Sequence, residues 1–460
     1  MKQLTPQIIA EITGGEYIGN ESDRDARITG AVRDNRDVKP GNMFVCFRGA
    51  RADGHSFANS AYASGASCCL AEQALPDPKG PYVMVGSTLG AIKEIGRYYR
   101  NLHNIPVIGV TGSVGKTTTK EMIACVLGVK AKVLKTTENM NNELGVPLTL
   151  LSLDESHKAA VIEMGISNFG EMSQLALMVK PDIMIITKIG YSHIASLGDL
   201  NGVLRAKTEV FNFMSPESTA IMNGDDELQR QYNPGIRKAL FGLNEYNDFR
   251  AENIYTNGTE SVTFDIVSAS GRFKASIPSY GSHLAAAALA ATAVGRELGL
   301  TDDDIAHGLL SYKPVDGRAR VKDTGYITLI DDCYNANPNS VMAALTSLSK
   351  LRKRKVAVLG DMLELGGKSE QLHREIGSFA AQSNIDSLIC CGEMAESIFD
   401  EYQSAGGRAA RYYPSKPELI KDLDTLILKG DAVLVKASHG MGFEELLPYL
   451  RDFQEPGITV

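Results

Sequence analysis

Residues 108–119 read Ile108-Gly109-Val110-Thr111-Gly112-Ser113-Val114-Gly115-Lys116-Thr117-Thr118-Thr119, and this stretch decides the fold. The apolar run Val107–Val110, just after Pro106, predicts a buried strand; glycines then break it, and a helix is predicted from about Lys116. Glycines let the backbone curl around phosphate oxygens, with main-chain N–H groups and the positive helix end aimed inward. Lys116 is long enough to reach β- and γ-phosphates, and the Thr117 hydroxyl can bind Mg²⁺. The predicted cradle for a nucleoside triphosphate is therefore Gly112, Ser113, Val114, Gly115, Lys116, Thr117 and Thr118. The pattern G-x-x-x-x-G-K-[ST] fails only at its first position, where Val110 stands; Gly109 and Gly112 flank it instead.

Outward from this loop the alternation continues. Apolar runs at Ala159–Ile162, Ile183–Thr187 and Thr219–Met222 are separated by helical stretches, which predicts a mainly parallel sheet covered by helices. Upstream lie a predicted helix, Leu89–Leu102, and short strands such as Met43–Phe47 among Asp- and Gly-rich turns. Thr5 and Pro6 are placed as cap and first residue of a short helix. Downstream of the polar turn Pro314–Gly317, strands are predicted at Ile327–Ile330, Val356–Leu359, Ser387–Cys391 and Ala432–Val435, again alternating with helices. At 460 residues the chain exceeds what one core serves. The expected fold class is α/β in three domains: a small α/β domain at 1–83, a central phosphate-loop (P-loop) domain with a mainly parallel sheet at 84–312, and a C-terminal Rossmann-like domain at 313–460.

Composition narrows the function. With 43% hydrophobic and 22% charged residues the chain is that of an ordinary globular protein. A net charge of -8 argues against nucleic acid as a partner, though a local cluster of Lys and Arg can still hold an anion. The seven cysteines contain no C-x-x-C pair and read as reduced core thiols rather than metal ligands. No apolar run reaches the roughly 20 residues of a membrane span, and no signal-peptide core is seen, so a cytoplasmic protein without membrane insertion is expected.

Three residues beyond the loop carry chemistry. Glu163 follows the run Ala159–Ile162, at the carboxyl end of a strand where open α/β sheets bind ligands; it reads as a Mg²⁺ ligand or as a solvated loop acid. His193, in Gly190-Tyr-Ser-His after the next strand, is open between a structural and a ligand role. Lys207 has apolar helical neighbours in Val203, Leu204, Val210 and Phe211, while Glu209 points elsewhere with Arg205 as its expected partner. Such a lysine either snorkels to solvent or is deprotonated. A neutral amine can add CO₂ and become a carbamate, an anion able to bind Mg²⁺.

The ordered set Thr111-Gly-Ser-Val-Gly-Lys-Thr-Thr, Asn139-Met-Asn-Asn-Glu-Leu-Gly-Val-Pro, Glu163-Met-Gly, His193 and Lys207-Thr-Glu-Val-Phe resembles the Mur ligase family. So do Gly317-Arg, Asp332-Cys-Tyr-Asn-Ala-Asn-Pro and Gly360-Asp-Met-Leu-Glu-Leu-Gly, the last two resembling one subgroup; Pro40-Gly-Asn-Met-Phe-Val and Asp53-Gly-His look like its first, UDP-sugar-binding domain. The resemblance runs from about Asp34 to Glu444. It implies an ATP- and Mg²⁺-dependent, ADP-forming ligase that joins D-alanyl-D-alanine to UDP-MurNAc-tripeptide (MurNAc, N-acetylmuramoyl) in peptidoglycan synthesis, acting as a monomer.

It also implies roles. Lys116 and the loop amides hold ATP, Thr117 and Glu163 one Mg²⁺, and His193 with carbamylated Lys207 a second. Asn139 and Asn142 lie near the phosphates and incoming peptide, Arg318 and Asp332 reach the nucleotide, and Asn335 and Asn337 shape that face. Asn35 and Arg36 meet the UDP end. Three motifs depart from the family pattern: Leu284 and Ala287 replace amides near the adenine, Asn35 replaces a serine, and Lys436-Ala-Ser-His replaces Lys-Gly-Ser-Arg.

Overall fold

The computed structural model describes residues 3–49 and 52–452. It contains three separate sheets. The first runs Glu16–Ile18, Tyr82–Met84, Cys68–Ala71, Asn42–Val45, Gly30–Val32, parallel except for its first strand. Ahead of it the helix Pro6–Thr13 starts as expected, with the Thr5 hydroxyl accepting from the Ile8 N–H and Pro6 opening the first turn.

The second sheet has nine strands, and Val107–Thr111 lies inside it between Ile183–Ile186 and His157–Glu163. Both faces of its parallel part are covered, which is why those strands are nearly continuous apolar runs. Ile108, Val110, Ile183 and Ile185 face the helices Lys116–Gly128 and Leu284–Glu297. Ala160, Ile162, Met184 and Ile186 face the helices Thr88–Asn101 and Glu171–Val179. From Val107–Thr111 the chain builds Lys132–Lys135 and His157–Glu163 on one side and then Ile183–Ile186 on the other. The strand is thus a topological switch point, and its carboxyl end opens a crevice.

Beyond Thr219–Asn223 and Arg237–Gly242 the sheet turns antiparallel through Phe249–Asn257, Ser261–Ser268 and Gly271–Ile277, strands that the sequence reading did not single out. Residues of Ser261–Ser268 alternate between buried and half-buried, the mark of an outer strand with one wet face, unlike the apolar runs used to find the others. The third sheet runs Arg320–Asp323, Thr328–Asp331, Ala432–Lys436, Lys355–Gly360, Ser387–Cys391, Ala409–Tyr413, with only the first strand antiparallel. Its carboxyl-end loops face the crevice of the second sheet. Among the described residues no helix is long and apolar enough to cross a membrane.

Candidate active site

The loop between Val107–Thr111 and Lys116–Gly128 is held from behind by the neighbouring strand's exit. The Ser113 N–H donates to the Lys188 carbonyl at 2.7 Å, and the Thr187 hydroxyl donates to the Val114 carbonyl at 2.6 Å. The Ser113 hydroxyl donates to the Gly190 carbonyl at 3.0 Å. At Gly112 φ is +145° and an added Cβ would overlap the Thr187 hydroxyl, so a side chain is excluded there on two counts. Gly115, at φ +84°, caps the helix without a side-chain hydrogen bond, and the space where its Cβ would stand is open. Lys116 lies back over the loop, its Nζ donating to the Gly112 carbonyl at 2.8 Å. Burial pushes this ammonium below its usual value, Glu163 opposes that, and Arg318 adds to it.

The loop opens into a cleft of about 590 Å³ between the second and third sheets. Ser113, Val114, Gly115, Lys116, Thr118, Asn142, Glu163 and His193 line it from one side; Arg318, Asp332, Asn335 and Asn337 line it from the other. Thr117 is buried and lies outside that lining; Arg318 Nη2 donates to its hydroxyl at 3.3 Å. The Arg318 guanidinium also sits 4.0 Å from the ring centre of Tyr334.

Glu163, 1% exposed, occupies the end of its strand in register with Val110. Its Oε1 accepts from Asn141 Nδ2 at 2.9 Å, whereas its buried Oε2 has no hydrogen-bond partner. The Lys120 ammonium stands 3.8 Å from Oε2 but donates instead to the Thr136 carbonyl at 2.6 Å. A buried carboxylate oxygen without a donor, facing a phosphate loop, is the electrostatic signature of a cation ligand. Among the described residues no cluster of three His, Cys, Asp or Glu side chains forms a metal cage.

Lys207 lies in the last turn of the helix Leu200–Thr208 and is 1% exposed. Among the described residues no carboxylate or carbonyl pairs with its ammonium, and burial, aided by Lys116, drives it well below the usual lysine value. With 1% exposure, the side chain does not reach bulk solvent. Glu209 does point away, accepting from the Gly170 and Ser173 N–H groups to cap the helix Glu171–Val179. Arg205, however, does not pair with it; its guanidinium lies 4.5 Å over the Phe169 ring. His193 has left-handed backbone, φ +54°, and its Nδ1 lies 2.6 Å from Glu364 Oε2. Burial lowers its pKa, Glu364 works against this, and Lys207 and Lys116 reinforce it, so all four groups share one electrostatic neighbourhood.

The remaining sites fall differently. Asn142 lines the cleft but spends its Oδ1 on the Leu144 and Gly145 N–H groups, and Asn139 is exposed outside the lining. Asn141, which the sequence reading passed over, is the residue that holds Glu163. Asp332 is committed to Lys436, whose Nζ is 2.7 Å from its Oδ2; Lys436 also donates to the Asn335 carbonyl at 2.9 Å. Asn337 caps the helix Pro338–Ser349. Leu284 lines the cleft, while Ala287 is buried in the helix behind it. Asn35 and Arg36 sit on the first sheet's side, away from the cleft; Asn35 donates to the Ser60 hydroxyl at 3.2 Å, and Arg36 pairs with Asp34.

These features define an α/β protein that holds a nucleotide by a phosphate loop at a switch point, with a second α/β unit facing it. Three family models match the chain: Mur ligase family, catalytic domain, over residues 27–94; Mur ligase middle domain over 110–295; and Mur ligase, glutamate ligase domain over 317–439. The UDP-N-acetylmuramoyl-tripeptide--D-alanyl-D-alanine ligase of Bacillus subtilis (strain 168) is 34% identical, covering 97% of this chain and 98% of its own. Among solved structures, MurF from Acinetobacter baumannii is 30% identical with a TM-score of 0.88, covering 98% of this chain and 99% of its own. The MurF ligase from Thermotoga maritima in complex with ADP is 28% identical with a TM-score of 0.81, covering 93% and 97%. The chain belongs to the Mur ligase family.

Proposed function

We propose that this chain is the ATP-dependent, ADP-forming ligase that joins D-alanyl-D-alanine to UDP-N-acetylmuramoyl-tripeptide in peptidoglycan precursor synthesis. The observation that carries the reading is the convergence on one cleft of the phosphate loop, Glu163 and His193 from the second sheet, and Arg318 and Asp332 from the third.

A carboxylate is a poor electrophile, and its oxygen a poor leaving group, so the acid must be activated. A tripeptide carboxylate oxygen attacks the γ-phosphorus, the bridging oxygen leaves with ADP, and an acyl phosphate results. The dipeptide amine then attacks the acyl carbon, gives up a proton, and phosphate departs as the amide forms. Two anions must meet in the first step, so positive charge fixed in advance is the chain's main contribution. Lys116 and the loop N–H groups supply it on one side and Arg318 on the other. Thr117 and the unpartnered Oε2 of Glu163 would hold one Mg²⁺, and His193 with a carbamylated Lys207 a second; bound there, the cations neutralise phosphate charge. Asn35 and Arg36 are assigned to the UDP end, and the domains to residues 1–83, 84–312 and 313–460.

The test is phosphate release measured with ATP, the tripeptide substrate and D-alanyl-D-alanine, each omitted in turn and the dipeptide replaced by single amino acids. Release needs all three, and single amino acids do not substitute. Lys116→Ala lowers turnover by about 10²–10³. Release that proceeds without the dipeptide, or equally well with a single amino acid, would overturn the assignment.

A further inference from the structure

We propose that Glu364, carried on the third sheet, is a positioning residue that fixes the imidazole of His193 with Nε2 turned into the cleft. The proposal rests on the reading of His193 as a cation ligand given above. Glu364 lies in the loop after the strand Lys355–Gly360, and its Oε2 is 2.6 Å from His193 Nδ1. The two segments also meet through their backbones. The Ala195 N–H donates to the Glu364 carbonyl at 3.3 Å, and Gly366 packs against Ala195.

Both residues hold left-handed backbone, φ +54° at His193 and +64° at Glu364. Two non-glycine residues in that region, in contact with each other, are unlike what local sequence alone favours. The loop is rigidly tied to its own unit. The Leu363 N–H donates to the Ser438 hydroxyl at 2.8 Å, the Met362 N–H to His373 Nε2 at 2.9 Å, and the Ser438 N–H to the Asp361 carbonyl at 3.0 Å.

A carboxylate is acceptor-only, so Nδ1 must carry the hydrogen and Nε2 presents its lone pair to the cleft that His193 lines. A second-shell carboxylate of this kind orients metal-binding histidines generally. Glu364 is 61% exposed, so its hydrogen bond to the neutral imidazole adds little stability, and orientation is the role left to it.

The test uses the full chain with ADP and Mn²⁺, binding followed by electron paramagnetic resonance, and ¹⁵N correlation spectra of the imidazoles without metal. Glu364→Ala weakens Mn²⁺ binding to the ADP complex by about 10–100-fold, leaves ADP affinity in chelator unchanged, and shifts His193 from the Nδ1–H toward the Nε2–H tautomer. Glu364→Gln, whose carbonyl oxygen still accepts from Nδ1–H, recovers most of the loss. An Nε2–H tautomer in the unmodified protein, unchanged Mn²⁺ affinity in Glu364→Ala, or equal loss in both variants would overturn the proposal. His193→Ala separates the two readings: if it leaves Mn²⁺ affinity intact, the ligand role of His193 falls first; if it weakens binding and Glu364→Ala does not, only the positioning role falls.

Discussion

Lys207→Met should make the nucleotide-free protein more stable while removing its ligase activity, a pairing of signs that few single substitutions give. The side chain is 1% exposed, its near neighbours in sequence Val203, Val210 and Phe211 are buried too, and no counter-charge pairs with it among the described residues. Whether the amine is charged or forced neutral, the fold bears a cost that an apolar side chain of similar length avoids. Replacing buried charge with well-packed apolar groups commonly stabilises by about 1–4 kcal/mol. In a domain of about 150–250 residues each kcal/mol moves the midpoint by roughly 2–4 °C. The gain must also depend on pH. Because the folded-state pKa of Lys207 lies well below its unfolded value, the unfolded chain binds more protons across the interval between them, and the unmodified protein gains stability as pH rises through it. Methionine lacks that gain, so the variant's advantage is largest toward neutral pH and shrinks as pH approaches about 10. Thermal melts in CO₂-depleted buffer from neutral to alkaline pH measure this, beside phosphate release at neutral pH. A methionine variant that melts lower than the unmodified protein, or whose advantage is flat with pH, would mean that the amine is already satisfied and would sink the carbamate argument with it.

Lys207→Ala, which trims the same site instead of filling it, should be inactive yet partly rescued by a small carboxylic acid, read by phosphate release; no rescue at any concentration counts against a carboxylate-like group there. Asn141→Ala strips Glu163 of its hydrogen bond at Oε1, leaving both oxygens buried without a donor. It should cost about 1–3 kcal/mol of stability, and added Mg²⁺ should restore part of the loss, which melts with and without the ion will show. Gly112→Ala forces a methyl group toward the Thr187 hydroxyl at φ +145°. A strain of about 1–3 kcal/mol should weaken ADP binding by roughly 5–150-fold, measured by calorimetry. Asp386 is half a network: burial would raise its pKa, but Lys355, 2.8 Å away, and Arg408 bring it below the usual carboxylate value. A depressed acid contributes stability above its unfolded pKa and loses it as pH falls through the folded one, so Asp386→Asn should be destabilising near pH 7 and lose that effect as the acid becomes protonated in the folded chain, by urea denaturation.

What could be read from the sequence and what could not divide along a physical line. The phosphate loop was legible because its chemistry is contiguous: glycine, lysine and threonine act within one strand–turn–helix. The buried parallel strands were legible because burial on both faces leaves unbroken apolar runs such as Ile183–Ile186. Strands with one wet face, Phe249–Ile277, leave a weaker signal and were missed. At the site, contiguity again decided what was seen. Glu163 could be placed at a strand end, but its dependence on Asn141 joins two different loops. Asp332 could be named, but not that Lys436, at the end of the neighbouring strand, holds it. Lys207 shows where the two kinds of information meet. Its apolar neighbours, read from spacing, raised the question of charge; only the fold could remove the alternative of an escape to solvent. The residues whose sequence reading stayed open, Glu163, His193 and Lys207, are those whose polar atoms find their partners across loops or find none. An orphaned carboxylate oxygen and an unpaired amine are each costly in isolation. Their persistence within reach of one phosphate loop is intelligible on the proposed reading, in which each is completed by its own Mg²⁺, and that is why stability and catalysis should move in opposite directions in Lys207→Met.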